Sequence, residues 1–176
     1  TTNTAILDKV TDLGIDTFAR ADHEVKDGMD ISLVGLTMDT MQLEFAGAHN
    51  PVWIIRKGNA DYEKLELKLE MDGHSLYELK GDKQPVGKFA YRADFTYHKI
   101  QVQKGEKIYL SSDGYQDQSG GDRRTKLNSK AFRKFLMEIS TTPIDKQEEM
   151  LKKPLFQYKG VFAYLVNVCV IGFEVY

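Results

Sequence analysis

The chain has 176 residues, a length that suits one globular domain, and 24 lysines and arginines stand against 26 aspartates and glutamates. The formal net charge of −2 gives no overall attraction to polyanions, so an extended nucleic-acid-binding face is not expected. Hydrophobic residues make up 41%, enough for a buried core, and the single cysteine, Cys169, excludes an intrachain disulfide and a cysteine-based zinc site. These features predict one domain over residues 1–176 in a reducing cytoplasm.

The first predicted element is a helix over residues 5–18, with Thr4 as its N-cap, because Ile6 and Val10 recur at helical spacing. Strands follow, and their alternation of apolar and polar residues, with turn residues between them, predicts an antiparallel meander. Trp53 lies in this region and is interpreted as a packing anchor. The predicted strands cover residues 31–36, 41–45, 52–56, 65–69, 75–79, 95–102 and 107–111.

Helices return in the last third of the chain. Residues 116–126 are rich in glycine and charge and predict a surface loop. A helix is predicted over residues 129–139, a second helix begins at Thr142-Pro143, and residues 168–175 form a closing strand. Because helices and strands are segregated along the chain, the sequence predicts an α+β fold. The apolar residues 161–176 are too few for a membrane span, no signal peptide is visible, and no membrane contact is expected.

Two loops of the predicted sheet contain small and polar residues at strand ends. In residues 46–51, the small side chains let backbones approach closely, and His49 and Asn50 lie where the strand stops. Residues 81–87 end at Gly87 and have a similar composition. Each loop by itself is most simply interpreted as a polar turn between two strands.

A third loop ends an apolar strand on a carboxylate. Residues 108–112 lead into Asp113, which is followed by Gly114. Carboxylates at rigid strand ends suit hard cations, and the glycine leaves room for a metal and its waters. Aspartate at such a turn is also ordinary capping chemistry, and the residues alone leave the two readings open.

Five blocks, taken in this order, carry a resemblance to a known family. They are Asp27-Gly28-Met29-Asp30, Ala46-Gly47-Ala48-His49-Asn50-Pro51-Val52-Trp53, Gly81-Asp82-Lys83-Gln84-Pro85-Val86-Gly87, Tyr109-Leu110-Ser111-Ser112-Asp113-Gly114-Tyr115 and Val168-Cys169-Val170-Ile171-Gly172. Together they resemble the stage II sporulation protein E-like serine phosphatases, which belong to the metal-dependent type 2C protein phosphatases. The resemblance extends over nearly the whole chain from Ala5 onward.

The resemblance implies an antiparallel two-sheet sandwich flanked by helices, with two manganese or magnesium ions at one sheet edge. In such enzymes a metal-bridging water attacks the phosphorus of a phosphoserine or phosphothreonine. Asp113 matches the family's metal-binding aspartate, and Gly114 matches the glycine after it. His49, Asn50 and Gly87 are expected to neighbour the site, and no catalytic side chain is assigned.

Two departures from the family pattern bear on activity. The family's first metal-binding block, an aspartate followed by Gly-His-Gly, is not found, and Asp72-Gly73-His74 is interpreted as a hairpin turn. Val166 and Asn167 stand where the family has an Asp-Asp or Asp-Asn pair, within an unexpectedly apolar stretch, so Asp113 alone remains of the carboxylates. We therefore expect a phosphatase domain incomplete at its N-terminus, either truncated or divergent, whose manganese or magnesium is weakly bound or absent.

Two classes of function remain open. The first is the larger, C-terminal part of a phosphatase domain that follows a sensor domain in a bacterial signalling protein. It would act on phosphoserine regulatory proteins of the anti-sigma-factor antagonist type, with this chain inactive alone. The alternative is a non-catalytic pseudophosphatase, or a protein-interaction or sensor module on the same scaffold. Sheet edges without partners, beside the apolar residues 161–175, also predict a homodimer.

Overall fold

The computed structural model describes residues 3–18, 28–87, 91–117, 119–120, 125–158 and 167–176. The elements in chain order are α1 (Asn3–Phe18), β1 (Gly28–Met29), β2 (Ile31–Thr37), β3 (Gln42–Ala48), β4 (Val52–Lys57), β5 (Glu66–Met71), β6 (His74–Leu79), β7 (Val86–Gly87), β8 (His98–Gln101), β9 (Lys107–Ser111), α2 (Gly114–Asp117), β10 (Ser119–Gly120), β11 (Thr125–Lys126), α3 (Ser129–Ile139), α4 (Ile144–Tyr158) and β12 (Val170–Glu174). They form two compact units, each made of two stretches of chain. The first comprises Thr1–Val52 and Lys80–Gln103, and the second comprises Trp53–Leu79 and Lys104–Tyr176.

The first unit is built on a three-stranded antiparallel sheet in the order β2-β3-β8. Strands β2 and β3 of the predicted antiparallel meander form a hairpin, and its register runs without a shift from Ile31↔Ala48 to Thr37↔Gln42. Helix α1 buries Leu7 in an apolar cluster with Ala48 and Phe95. This cluster shields one part of the sheet from water. Burial of apolar side chains in this way is the main source of stability for a folded unit.

The second unit contains a five-stranded sheet in the order β12-β9-β4-β6-β5. Its core is rich in aromatic side chains, and Trp53 and Tyr115 both lie against Phe132 of α3. The rings of Trp53 and Phe132 meet edge to face at 5.5 Å, and those of Tyr115 and Phe132 stack at 4.3 Å. Such pairs add about 0.5–1.5 kcal/mol each beyond the burial of their area. The interpretation of Trp53 as a packing anchor is confirmed.

Local signals placed α3 and the β5–β6 hairpin correctly. The side chain of Asn128 accepts a hydrogen bond from the backbone N–H of Ala131 at 3.0 Å and caps α3, which covers the predicted residues 129–139. Asp72 and Gly73 both have positive φ, at 50° and 73°, as a two-residue hairpin turn requires. The hairpin interpretation of Asp72-Gly73-His74 is confirmed.

Three expectations about element boundaries were wrong. Thr4 lies inside α1, which begins at Asn3, so it is not the N-cap. The predicted loop over residues 116–126 instead contains the end of α2 and the antiparallel pair β10–β11. The predicted strand over residues 95–102 begins only at His98. Asp27, Val166 and the apolar stretch around Val166 lie outside the described residues. No helix in the described part of the chain is long and apolar enough to span a membrane.

Candidate functional site

Asp113 lies where β9 gives way to α2 in the second unit. Its side chain is exposed, and its backbone carbonyl accepts a hydrogen bond from the N–H of Asp117 at 2.9 Å, which closes the first turn of α2. The carboxylate therefore stands at the end of a buried strand and faces water, as expected from the sequence. An exposed carboxylate in such a place can contribute an oxygen ligand to a hard cation.

Gly114 packs directly against the chain that leads into β12. A Cβ added at Gly114 would lie 2.1 Å from the backbone oxygen of Asn167. Ser112 ties the same two segments together, because its Oγ donates to the Asn167 carbonyl at 3.2 Å and accepts from the Cys169 N–H at 3.1 Å. The structure thus brings the Asp113-Gly114 turn beside Asn167.

The two glycine-containing loops of the first unit cross with their backbones in contact. A Cβ on Gly47 would lie 3.0 Å from the Cα of Gly81, and a Cβ on Gly81 would lie 2.9 Å from the carbonyl carbon of Gly47. Asp82 N–H donates to the Gly47 carbonyl at 2.8 Å, and His49 N–H donates to the Asp82 carbonyl at 2.9 Å. Glycine is needed at both positions because any side chain would separate the two loops.

His49 is held in a strained conformation beside a carboxylate. Asn50 N–H donates to the Ala48 carbonyl at 2.6 Å, so His49 is the central residue of a three-residue turn, and its φ is 60°. This left-handed form of the turn is rare and strained. The imidazole Nδ1 lies 3.3 Å from Oδ1 of Asp30, and both side chains are about two-fifths exposed, at 43% and 40%.

Asn50 and Gly87 lie in the same unit as His49. The Asn50 carbonyl accepts a hydrogen bond from the Ser32 hydroxyl at 3.0 Å, which fixes the end of the loop to β2. Gly87 pairs with Gly28 in the two-stranded sheet β1–β7, and β1 ends at the residue before Asp30. The structure therefore gathers three of the predicted blocks in one unit, those around Gly28, His49 and Gly87.

Asp82 and Gln84 close the loop that links β7 to β8. The carboxylate of Asp82 accepts from the N–H and the hydroxyl of Thr96, at 2.6 and 2.8 Å. The side-chain amide of Gln84 donates to the Ala93 carbonyl at 2.6 Å and accepts from its N–H at 2.9 Å. Sequence reasoning did not assign roles to Asp30, Asp82 or Gln84, although all three stand in blocks that carry the resemblance.

The described residues place one carboxylate at the expected metal position. Asp113 supplies it, and among the residues that the structure describes no group of three or more histidine, cysteine, aspartate or glutamate side chains could hold a metal ion. Asp113 can contribute one carboxylate oxygen to a hydrated divalent cation.

Comparison with solved structures identifies the fold of the chain. No model of a protein family matches the sequence, and no curated protein matches it. The solved SiaA-PP2C domain of Pseudomonas aeruginosa is similar to the chain, with a TM-score of 0.65 and 21% identity, over 97% of this chain and 69% of that one. The chain has the type 2C protein phosphatase fold.

Two further type 2C structures are those of the phosphatase domain of the cell fate determinant SpoIIE from Bacillus subtilis. One of them was presoaked with manganese. Their TM-scores are 0.52 and 0.51, with 10% and 12% identity, and each match covers 99% of this chain and 74% of the other. The type 2C fold confirms the resemblance drawn from the ordered sequence blocks and the predicted α+β class with antiparallel sheets.

Proposed function

We propose that this chain is part of a metal-dependent protein serine/threonine phosphatase domain that acts in bacterial signalling on phosphoserine regulatory proteins, and that the chain alone is inactive. The observation that supports the proposal is the Asp113-Gly114 turn, which presents an exposed carboxylate at the end of β9 beside Asn167. The type 2C fold supports the reaction class. The regulatory proteins we propose as partners are of the anti-sigma-factor antagonist type.

Asp113 would hold the divalent cation, manganese or magnesium, through a carboxylate oxygen. A bound cation of this kind supplies positive charge to a phosphoryl oxygen and lowers the pKa of its bound water. With one carboxylate at the turn, the cation would keep most of its waters and bind weakly. Hydrolysis would need further ligands, and we therefore expect no appreciable turnover by this chain alone.

The second candidate is a pseudophosphatase that uses the same scaffold to bind a partner protein without hydrolysis. The observation that favours it is Val166, which stands in the sequence where the resemblance implies an aspartate and offers no oxygen ligand to a cation. The two candidates differ in whether the cation contributes to recognition of the phosphorylated partner.

Manganese binding by the full chain tests the role of Asp113. Electron paramagnetic resonance should show weak manganese binding that is lost in Asp113→Asn. The matched control is Asp61→Asn, which removes another exposed carboxylate of the second unit and should leave binding unchanged. Equal binding by all three proteins would contradict a metal role for Asp113.

Activity and partner binding separate the two candidates. Release of phosphate from a phosphoserine regulatory protein should stay at background with manganese present, and robust turnover abolished by Asp113→Asn would contradict the proposed inactivity. If the phosphatase proposal holds, the phosphorylated partner should bind more tightly than the unphosphorylated one, and manganese should increase the difference. Binding that is independent of phosphate, manganese and Asp113 would favour the pseudophosphatase.

A further inference from the structure

Helix α2 follows Asp113 directly and is only one turn long. It has four residues, Gly114–Asp117, and the Asp117 N–H closes it by donating to the Asp113 carbonyl at 2.9 Å. A single turn has almost no stability by itself, because nucleating a helix fixes several residues for one hydrogen bond. Contacts with the rest of the second unit must therefore set the position of α2, and with it the direction of the Asp113 carboxylate.

Tyr115 is the one large side chain that α2 buries. Of the four residues of α2, all of which the structure describes, only Gly114 and Tyr115 are buried. The ring of Tyr115 stacks on Phe132 of α3 with 4.3 Å between the centroids, and its hydroxyl donates to the Leu151 carbonyl of α4 at 3.0 Å. A single side chain thus fastens α2 to both α3 and α4.

The carbonyl that accepts from Tyr115 lies next to a proline in α4. Pro154 stands inside this helix, three residues after Leu151. Proline has no N–H for the carbonyl four residues before it, here that of Met150, and its ring disturbs the preceding turn of the helix. Carbonyls in such a turn are accessible to donors from outside the helix. The Tyr115 hydroxyl supplies one such donor, so its contact with α4 is made where α4 is able to accept it.

The other contacts of the turn are made by backbone atoms. Gly114 packs against the carbonyl of Asn167, where a Cβ would lie 2.1 Å from the oxygen. The carbonyl of Gln116 accepts from the N–H of Asn128 at 2.9 Å. These contacts hold the two ends of the turn, and Tyr115 adds the side-chain contact that fixes how α2 is rotated between them.

We propose that Tyr115 is a positioning residue for the divalent cation, because it holds α2 between α3 and α4 and so fixes the direction in which Asp113 presents its carboxylate. The inference rests on the proposed role of Asp113 in holding the cation. A ligand that is already oriented binds more tightly, since less of the chain has to be ordered on binding. Loosening α2 therefore lowers the affinity for the cation without removing a ligand atom.

Manganese binding by the full chain, measured by electron paramagnetic resonance, tests this role. Tyr115→Phe keeps the ring on Phe132 and removes only the bond to Leu151, and it should raise the manganese dissociation constant by about two- to fivefold. The matched control is Tyr109→Phe, which removes a comparable bond from a buried hydroxyl to Gln147 at 2.8 Å. It should lower the urea midpoint and leave the dissociation constant unchanged. A wild-type dissociation constant in Tyr115→Phe, or an equal increase in both variants, overturns the proposal.

Hydrogen exchange of the Asp117 amide, measured by NMR without metal, tests the placement of α2 independently of manganese. This N–H closes α2, so it should exchange about fivefold faster in Tyr115→Phe and at the wild-type rate in Tyr109→Phe. If the exchange rates differ in this way but the wild type binds no manganese through Asp113, the proposed function fails and the placement of α2 by Tyr115 stands. An unchanged rate in Tyr115→Phe overturns the inference whatever the result with manganese.

Discussion

Replacing Gly114 by alanine should destabilise the second unit, because the site has no space for a methyl group. The added Cβ would lie 2.1 Å from the carbonyl oxygen of Asn167 and 2.8 Å from its carbonyl carbon. Both are backbone atoms, so the clash is relieved only when the chain at Asn167 moves away from β9. That movement breaks the two hydrogen bonds that the Ser112 hydroxyl makes, with the Asn167 carbonyl and with the Cys169 N–H.

The size of the effect follows from these contacts. Each of the two lost hydrogen bonds contributes about 1 kcal/mol, and forcing an extra methyl group into a packed site costs about 1–3 kcal/mol. Alanine at the first residue of α2 recovers up to about 1 kcal/mol relative to glycine. We expect the free energy of unfolding to fall by about 2–4 kcal/mol in Gly114→Ala.

Urea unfolding measures this change, with the fluorescence of Trp53 as the probe. Trp53 is the only tryptophan of the chain and is buried in the core of the second unit. Ser112→Ala is the matched control, because it removes the same two hydrogen bonds without a clash and should cost about 1–2 kcal/mol. The double variant should lose less than the sum of the single losses, since both act on the same contact. An unchanged midpoint for Gly114→Ala, or full additivity, would refute the described packing.

Two further predictions concern groups outside this turn. Burial raises the pKa of Tyr109 from its ordinary value of 10.0 to about 12, so the neutral phenol is favoured in the folded chain. The stability that this phenol contributes is complete below pH 10 and is lost as the pH rises toward 12. The urea midpoint of Tyr109→Phe should therefore decline less steeply between pH 8 and pH 11 than that of the wild type. Asp82→Ala removes both hydrogen bonds to Thr96, and limited proteolysis should then cut faster between β7 and β8 while the cutting rate elsewhere stays the same. A cutting rate equal to that of the wild type in this loop would contradict the role of the Asp82 carboxylate.

Features that depend on neighbouring residues were predictable from the sequence. Helix α3 follows from the spacing of Phe132 and Leu136 and begins after the capping Asn128. The turn at Asp72-Gly73 follows from residues that tolerate positive φ. The strand that ends at Asp113 is visible as an apolar run stopped by a carboxylate and a glycine. In each case the local sequence contains both the periodicity and the stop signal.

Features that depend on residues far apart in the chain were decided only by the tertiary structure. The two-residue strands β1 and β7 are too short to show any periodicity, and their pairing depends on Gly28 and Gly87 meeting across the first unit. The contact of His49 with Asp30 depends on a strained turn that is held by a backbone bond to Asp82. The contact of Gly114 with Asn167 likewise joins segments more than fifty residues apart. Composition and spacing identify residues able to make such contacts, but the contacts form only where folding brings two backbones within van der Waals distance.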